Sequence, residues 1–218
     1  MSTQKRGVFI ALEGIDGSGK STQARILADR LKQAGISVYG TMEPTQVLAG
    51  SLIRQALTGR IQADHRVIAA LFVADRLDHL LNETNGVCRK IEEGTSVIMD
   101  RYCFSSYAYQ GVKVPMDWLI QANALCSQIL RPDINLFIDT DPDTALARIA
   151  ANRFETELFE EKSWLVQVRH NYMEAFERLR DSENVVVIDG NCSVDETAEH
   201  IWDAVQGYFE SHRQDDLL

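Results

Sequence analysis

The clearest chemistry in this chain lies in one run of residues. Gly14, Ile15, Asp16, Gly17, Ser18, Gly19, Lys20 and Ser21 fit the pattern G-x-x-x-x-G-K-[ST] at every fixed position. Glycines at those places let the backbone curl so that successive N–H groups face phosphate oxygens. A lysine there reaches the outer phosphates, and a serine hydroxyl is offered to Mg²⁺. The run therefore points to a held nucleoside triphosphate. A plain connecting turn would use the glycines but would need neither Lys20 nor Ser21.

Three further groups have types and spacings suited to anions or a flat ring. Asp100 and Arg101 directly follow the apolar run Ser96-Val97-Ile98-Met99. If that strand lies beside the first, Asp100 can share Mg²⁺ with Ser21 while Arg101 faces a second phosphate. Phe72 and Arg76 stand four apart on a helical pattern, so ring and guanidinium share a face on which a nucleobase could stack and bond. Core packing of Phe72 and a surface place for Arg76 is the competing reading, and periodicity does not choose between them. Arg148 and Arg153 follow the run ending at Ile138, where they could swing over a nucleotide and offset charge on a transferring phosphoryl group.

The elements that must position these groups are legible as alternation. Short apolar runs at Val8–Leu12, Ser37–Gly40, Ser96–Met99, Ile134–Ile138 and Val185–Ile188 read as strands. Helical patterns separate them, among them Thr22–Leu31, Val67–Leu81 and Trp118–Leu130. Such alternation predicts one α/β domain over 1–218, a parallel sheet covered on both faces, with ligands at the carboxyl ends of the strands. The apolar faces of Leu119–Leu130 and Trp164–Tyr172 fit either internal packing or a second subunit. Fraying is expected from His212 onward.

Composition bounds the partners. With 218 residues and 45% hydrophobic content the chain can bury a full core without disulfide staples. Its 22 basic and 32 acidic residues leave a net charge of −10, which argues against nucleic acid as a partner. Cys88, Cys103, Cys126 and Cys192 are scattered, so the expected setting is a reducing cytoplasm. No apolar run is long enough to span a bilayer, and neither membrane attachment nor an export signal is expected.

With these residues quoted, the chain resembles the thymidylate kinase family. The likeness runs from the first strand to about Glu174. It includes Leu12-Glu13-Gly14-Ile15-Asp16-Gly17-Ser18-Gly19-Lys20-Ser21-Thr22-Gln23, the stretch Phe72–Arg76, and Asp100-Arg101-Tyr102-Cys103-Phe104-Ser105-Ser106-Tyr107-Ala108-Tyr109-Gln110-Gly111. The resemblance implies a P-loop three-layer α/β/α fold, a five-stranded parallel sheet of order 2-3-1-4-5, a mobile lid at about 141–162, and usually a homodimer. It implies ATP as donor, Mg²⁺ as cofactor and dTMP as acceptor. Gly14 through Thr22 and Arg148 would bind ATP. Asp16 would contact the 3′-hydroxyl of dTMP, Phe72 would stack on thymine, Arg76 would bond its O4, and Arg101 would clasp the acceptor phosphate. Tyr109 would crowd the 2′ position, Ser105, Ser106 and Gln110 would line the same pocket, and Arg54 is a further candidate for the acceptor phosphate. The expected catalytic set is Lys20, Asp16, Arg101 and Arg153.

Departures from the family pattern sharpen these expectations. Some members carry an arginine inside the phosphate loop, whereas this chain has Gly17, so the catalytic cation should come from the lid, from Arg153 before Arg148. Glu43-Pro44-Thr45-Gln46 stands where many bacterial members have Glu-Pro-Gly-Gly-Thr, and Phe154 where some have tyrosine. The expected chemistry is in-line transfer without a covalent intermediate. Two alternatives compete. One is a deoxynucleoside kinase or another pyrimidine monophosphate kinase on the same scaffold, and the other is a nucleotide switch, against which stands the lack of an N-K-x-D motif.

Overall fold

The computed structural model describes residues 6–152 and 158–214. In chain order the elements are β1 (Phe9–Glu13), α1 (Lys20–Gln33), β2 (Val38–Met42), α2 (Leu48–Leu57), α3 (His65–Leu81), α4 (Val87–Glu92) and β3 (Ser96–Asp100). There follow α5 (Cys103–Tyr109), a 3₁₀ turn at Gln110–Val112, α6 (Met116–Ile129), β4 (Ile134–Asp139), α7 (Pro142–Asn152), α8 (Leu158–Leu179), β5 (Val185–Asp189) and α9 (Val194–Gln214). The five strands pair in parallel in the order β2-β3-β1-β4-β5. This is the predicted sheet, and helices cover both its faces.

Alternation along the strands divides the core in two. Phe9, Ala11, Val97, Met99 and Phe137 pack with residues of α3 to α8. Ile10, Leu12, Ile98, Leu136 and Ile138 pack against Leu27 and Leu31 of α1 and Ile201 and Val205 of α9. Central strands buried on both faces read as unbroken apolar runs, which makes β1, β3 and β4 legible in the sequence. Each such side chain removed from water is worth about 2 kcal/mol, so the sheet is a rigid platform for whatever its rim carries.

The strands end later than expected. Each predicted strand stopped at its last apolar residue, or earlier in β2, but β1, β3, β4 and β5 run one residue further, through Glu13, Asp100, Asp139 and Asp189. A carboxylate therefore sits at the carboxyl end of four neighbouring strands. Trp164–Tyr172 proves to be internal packing: Leu165, Val168 and Tyr172 are core residues. α9 continues through Gln214, so His212 is still helical.

The chain leaves β1 to build β2 and β3 on one side and returns to build β4 on the other. The sheet order thus reverses at β1, and the crevice beyond its carboxyl end is where such folds receive ligands.

Candidate functional site

The loop between β1 and α1 fills that crevice. Gly17 has φ 79°, and a Cβ added there would lie 2.4 Å from the backbone oxygen of Ala145, so only glycine fits between loop and α7. Gly19 caps α1 in the left-handed conformation, and no side chain caps that helix. The first N–H groups of α1 therefore remain available to an anion, where the helix dipole also favours negative charge.

A cavity of about 550 Å³ opens over this loop. Asp16, Gly17, Ser18, Gly19, Lys20, Ser21 and Thr22 line one side, and Arg148, Cys192 and Thr197 the other. Lys20 is buried, its Nζ donating to Ile15 O at 2.8 Å and to Ser18 Oγ at 3.4 Å. Burial, helped by the nearby Arg101 charge, lowers its ammonium to about 8. Arg148 holds the loop before α9 through Gly190 O at 2.8 Å and Cys192 O at 3.1 Å.

β3 lies beside β1 with Asp100 opposite Leu12, which brings Asp100 to the loop as expected. Ser21 Oγ donates to Asp100 Oδ2 at 2.5 Å. The other oxygen, Oδ1, is buried and has no hydrogen-bond partner among the described residues. No group of three or more His, Cys, Asp or Glu side chains among the described residues could hold a metal alone, so a cation here would complete its shell with oxygens of water or of a bound ligand.

Arg101 is the one non-glycine with positive φ among the described residues, at 72°. That turn aims its guanidinium back over the loop. There it meets Asp16 Oδ1 at 2.5 Å, Tyr109 Oη at 3.3 Å and Ser105 Oγ at 3.4 Å, and it lies 4.6 Å from the centre of the Tyr109 ring. Beneath it the buried Glu13 accepts hydrogen bonds from Tyr102 N at 2.9 Å, Ser105 Oγ at 2.5 Å and Tyr172 Oη at 3.0 Å. Burial pushes the Glu13 carboxyl above its usual range against the pull of these donors. Glu13 thus ties the end of β1 to the start of α5 and to α8.

A second cavity, about 430 Å³, lies on the far side of the Asp16–Arg101 pair. It is lined by Phe72, Arg76, Ser105, Ser106, Tyr109 and Gln110, and by Glu43, Pro44, Leu57, Tyr102 and Trp164. Asp16 and Arg101 line both cavities. Phe72 is half-buried and faces this space, while Arg76 is not the surface cation of the competing reading: it is 1% exposed. Its Nε donates to Glu43 Oε2 at 2.8 Å and its Nη2 lies 2.7 Å from the same oxygen. Nη2 also donates to Tyr102 O at 3.1 Å and Ser106 Oγ at 3.2 Å, and Nη1 donates to Asn123 Oδ1. Burial opposes charge on this guanidinium, but Glu43 outweighs it and holds the pKa above the ordinary value. On the cavity's other flank Gln110 Oε1 is buried without a partner among the described residues.

The thymidylate kinase family model matches residues 12–201. A probable thymidylate kinase of Methanocaldococcus jannaschii is 33% identical over 205 residues, covering 94% of this chain and 96% of its own length. One from Pyrococcus horikoshii is 39% identical over 178 residues, covering 79% and 84%. A thymidylate kinase of Xanthomonas oryzae is 42% identical over 158 residues, covering 69% and 66%. The chain belongs to the thymidylate kinase family.

Set against the roles that the thymidylate kinase resemblance implies, the cavities gather Gly17–Thr22 and Arg148 on the donor side and Phe72, Arg76, Ser105, Ser106, Tyr109 and Gln110 on the acceptor side, with Asp16 and Arg101 common to both. Arg54 stands apart. It donates to Pro44 O at 2.8 Å and to Thr45 O, outside the residues lining the acceptor cavity. Arg153 and Phe154 lie outside the described residues. The sequence reading missed Glu13, Glu43, Asn123, Trp164 and Tyr172. For Glu13 the signal was present, a carboxylate closing the apolar run Phe9-Ile10-Ala11-Leu12, which a central strand tolerates only if it is hydrogen-bonded.

Proposed function

We propose that this chain converts dTMP to dTDP with ATP and Mg²⁺ by in-line transfer of the γ-phosphoryl group. The observation that carries the reading is the meeting of two cavities, of about 550 and 430 Å³, at one pair of side chains, Asp16 and Arg101. A donor in one and an acceptor in the other would face each other across that pair. A phosphate dianion is already nucleophilic, so the work is alignment and charge neutralisation.

Each residue then has a task. Lys20, with the N–H groups opening α1, holds the outer phosphates of ATP, and Arg148 closes the donor side near Cys192. Ser21 and Asp100 would hold Mg²⁺, which fits the orphaned and buried Oδ1 of Asp100. When bound, the ion would neutralise charge on the donor oxygens. Arg101 takes the acceptor phosphate, with Arg54 a second candidate, and Asp16 meets the sugar hydroxyl. Arg153 is assigned to the transferring group from the lid, ahead of Arg148.

The acceptor base is read as a pair of opposite polarities. An N–H of Arg76 donates to O4 of thymine, and the free Oε1 of Gln110 accepts from N3–H. Cytosine carries the reverse pair and would leave both groups unmatched. Phe72 supplies a face for stacking, and Tyr109, held by Arg101, would crowd a ribose 2′-hydroxyl.

We assign a homodimer and a cytoplasmic setting. Leu48, Val67, Trp118 and Leu125 are exposed apolar side chains on the neighbouring helices α2, α3 and α6, which favours a covering subunit. All four cysteines are free, as a reducing compartment requires. Among the described residues no helix is long and apolar enough to cross a membrane.

A coupled assay of ADP release, run with dTMP, dUMP, dCMP and thymidine, tests the whole reading. Turnover should be fastest with dTMP and undetectable with thymidine. Preferred phosphorylation of thymidine would make this a nucleoside kinase, and nucleotide-dependent partner binding without any acceptor turnover would make it a switch.

A further inference from the structure

The acceptor cavity holds two arginines, and nothing in a nucleotide's shape forces its phosphate toward one rather than the other. What separates them is their company. Arg101 faces Asp16, whose side chain is 53% exposed and can be drawn aside by an arriving anion. Arg76 faces Glu43, whose side chain is 1% exposed and engages Nε and Nη2 together. A buried, two-point contact of this kind both cancels charge and fixes the plane of the guanidinium.

The remaining donors of Arg76 are almost all taken. Asn123 Oδ1 receives one Nη1 hydrogen, and Tyr102 O with Ser106 Oγ receives the second Nη2 hydrogen. One Nη1 hydrogen is left without a partner among the described residues, on a side chain that lines the cavity. Its direction is set by where Glu43 holds the fork.

Glu43 is itself held from behind. Its Oε1 lies 3.3 Å from His79 Nδ1, and the other ring nitrogen, Nε2, lies 2.8 Å from Thr41 Oγ1 of the edge strand β2. Its backbone N–H donates to Asp100 O at 3.1 Å. His79 and Thr41 border a separate groove of about 300 Å³ on the outer side of β2. The chain of contacts therefore runs from that groove through His79 and Glu43 to Arg76 at the base end of the acceptor cavity.

We propose that Glu43 is a positioning residue that gives the acceptor cavity its polarity, fixing and neutralising Arg76 so that this guanidinium reads a base carbonyl and Arg101 alone receives the phosphate. His79 steadies Glu43 in the same role. The inference rests on the proposed reading of the base by Arg76. It adds that an unpaired Arg76 would compete for the phosphate and lose its discrimination between pyrimidine edges.

Glu43→Gln keeps the shape and one acceptor but removes the charge. In this variant the KM for dTMP should rise about tenfold with kcat changed by no more than about threefold, and the preference for dTMP over dCMP should fall about tenfold. Inhibition by inorganic phosphate, competitive with dTMP, should tighten several-fold, while the KM for ATP stays unchanged. A merely structural role would lower the melting temperature and the active fraction without moving base preference or phosphate inhibition. His79→Gln should shift the same quantities in the same direction by about threefold. If Glu43→Gln fails to fold, the His79 variant decides. Folded variants with unaltered preference and phosphate inhibition overturn the inference. Arg76→Lys, run beside them, separates the two levels. If it also leaves the preference intact, the base reading itself is wrong; if it alone flattens the preference, only the role of Glu43 falls.

Discussion

Raising the pH should weaken ATP binding while strengthening the empty fold, because both depend on the proton of Lys20. Burial, with Arg101 nearby, brings this ammonium from 10.5 to about 8. The protonated fraction then falls from about 0.75 at about pH 7.5 to about 0.03 at about pH 9.5. Only the ammonium pairs with polyphosphate, so the apparent dissociation constant for ATP should rise about 25-fold, or about 2 kcal/mol. The terminal phosphate, with a second pKa of about 6, is ionised throughout this range and adds no slope. Stability moves the other way. Between about pH 8 and 10.5 the unfolded chain keeps a proton that the folded chain has shed, so stability without ligand should rise, by up to about 3 kcal/mol. Titration calorimetry in two buffers of different protonation enthalpy should detect uptake of about one proton per ATP bound near pH 9.5. Lys20→Arg stays charged and should bind ATP more weakly but with no such slope. Parallel pH profiles for the two proteins would refute the argument.

Two other perturbations follow from the geometry of the loop and the proposed metal pair. Gly17→Ala must take up φ 79° with its Cβ 2.4 Å from Ala145 O, which should cost about 3 kcal/mol and lower the melting temperature by about 10 °C in thermal denaturation. An undiminished melting temperature would show that α7 can retreat from the loop. Asp100→Asn removes the carboxylate paired with Ser21, so the Mg²⁺ concentration giving half-maximal rate should rise about tenfold at saturating ATP. An unchanged Mg²⁺ titration would assign the ion to other ligands.

Local signals carried much of this molecule and long-range pairing carried the rest. The phosphate loop was readable because its chemistry is dictated by contiguous residues, and β1, β3 and β4 because both their faces are buried. The strand ends were misread by one residue where polarity changes, since a strand's hydrogen bonds continue through Asp100 and Asp139 regardless of side-chain charge. α2 and α5 went unnoticed. α2 exposes Leu48 and Leu57 on opposite sides, and α5 is a short helix with six of its seven residues buried, so neither shows a clean polar stripe. The partners of Arg76 were beyond reach for a different reason. Glu43 and Asn123 lie 33 and 47 residues away in the chain, and no periodicity links them. Phe72 and Arg76 could be assigned to one face of a helix, but which cavity that face borders is decided by packing between α3, α5 and α6.

The pairing of Asp16 with Arg101 has a consequence for an enzyme holding only one of its guests. With no recipient aboard, the guanidinium at the junction is already answered by its carboxylate neighbour, so the tail of a lone triphosphate meets a wall of muted charge. On the proposed reading, entry of the recipient would draw that carboxylate toward the sugar and free the cation for the reacting group. Idle loss of phosphoryl to water would thereby be held back until both seats are filled.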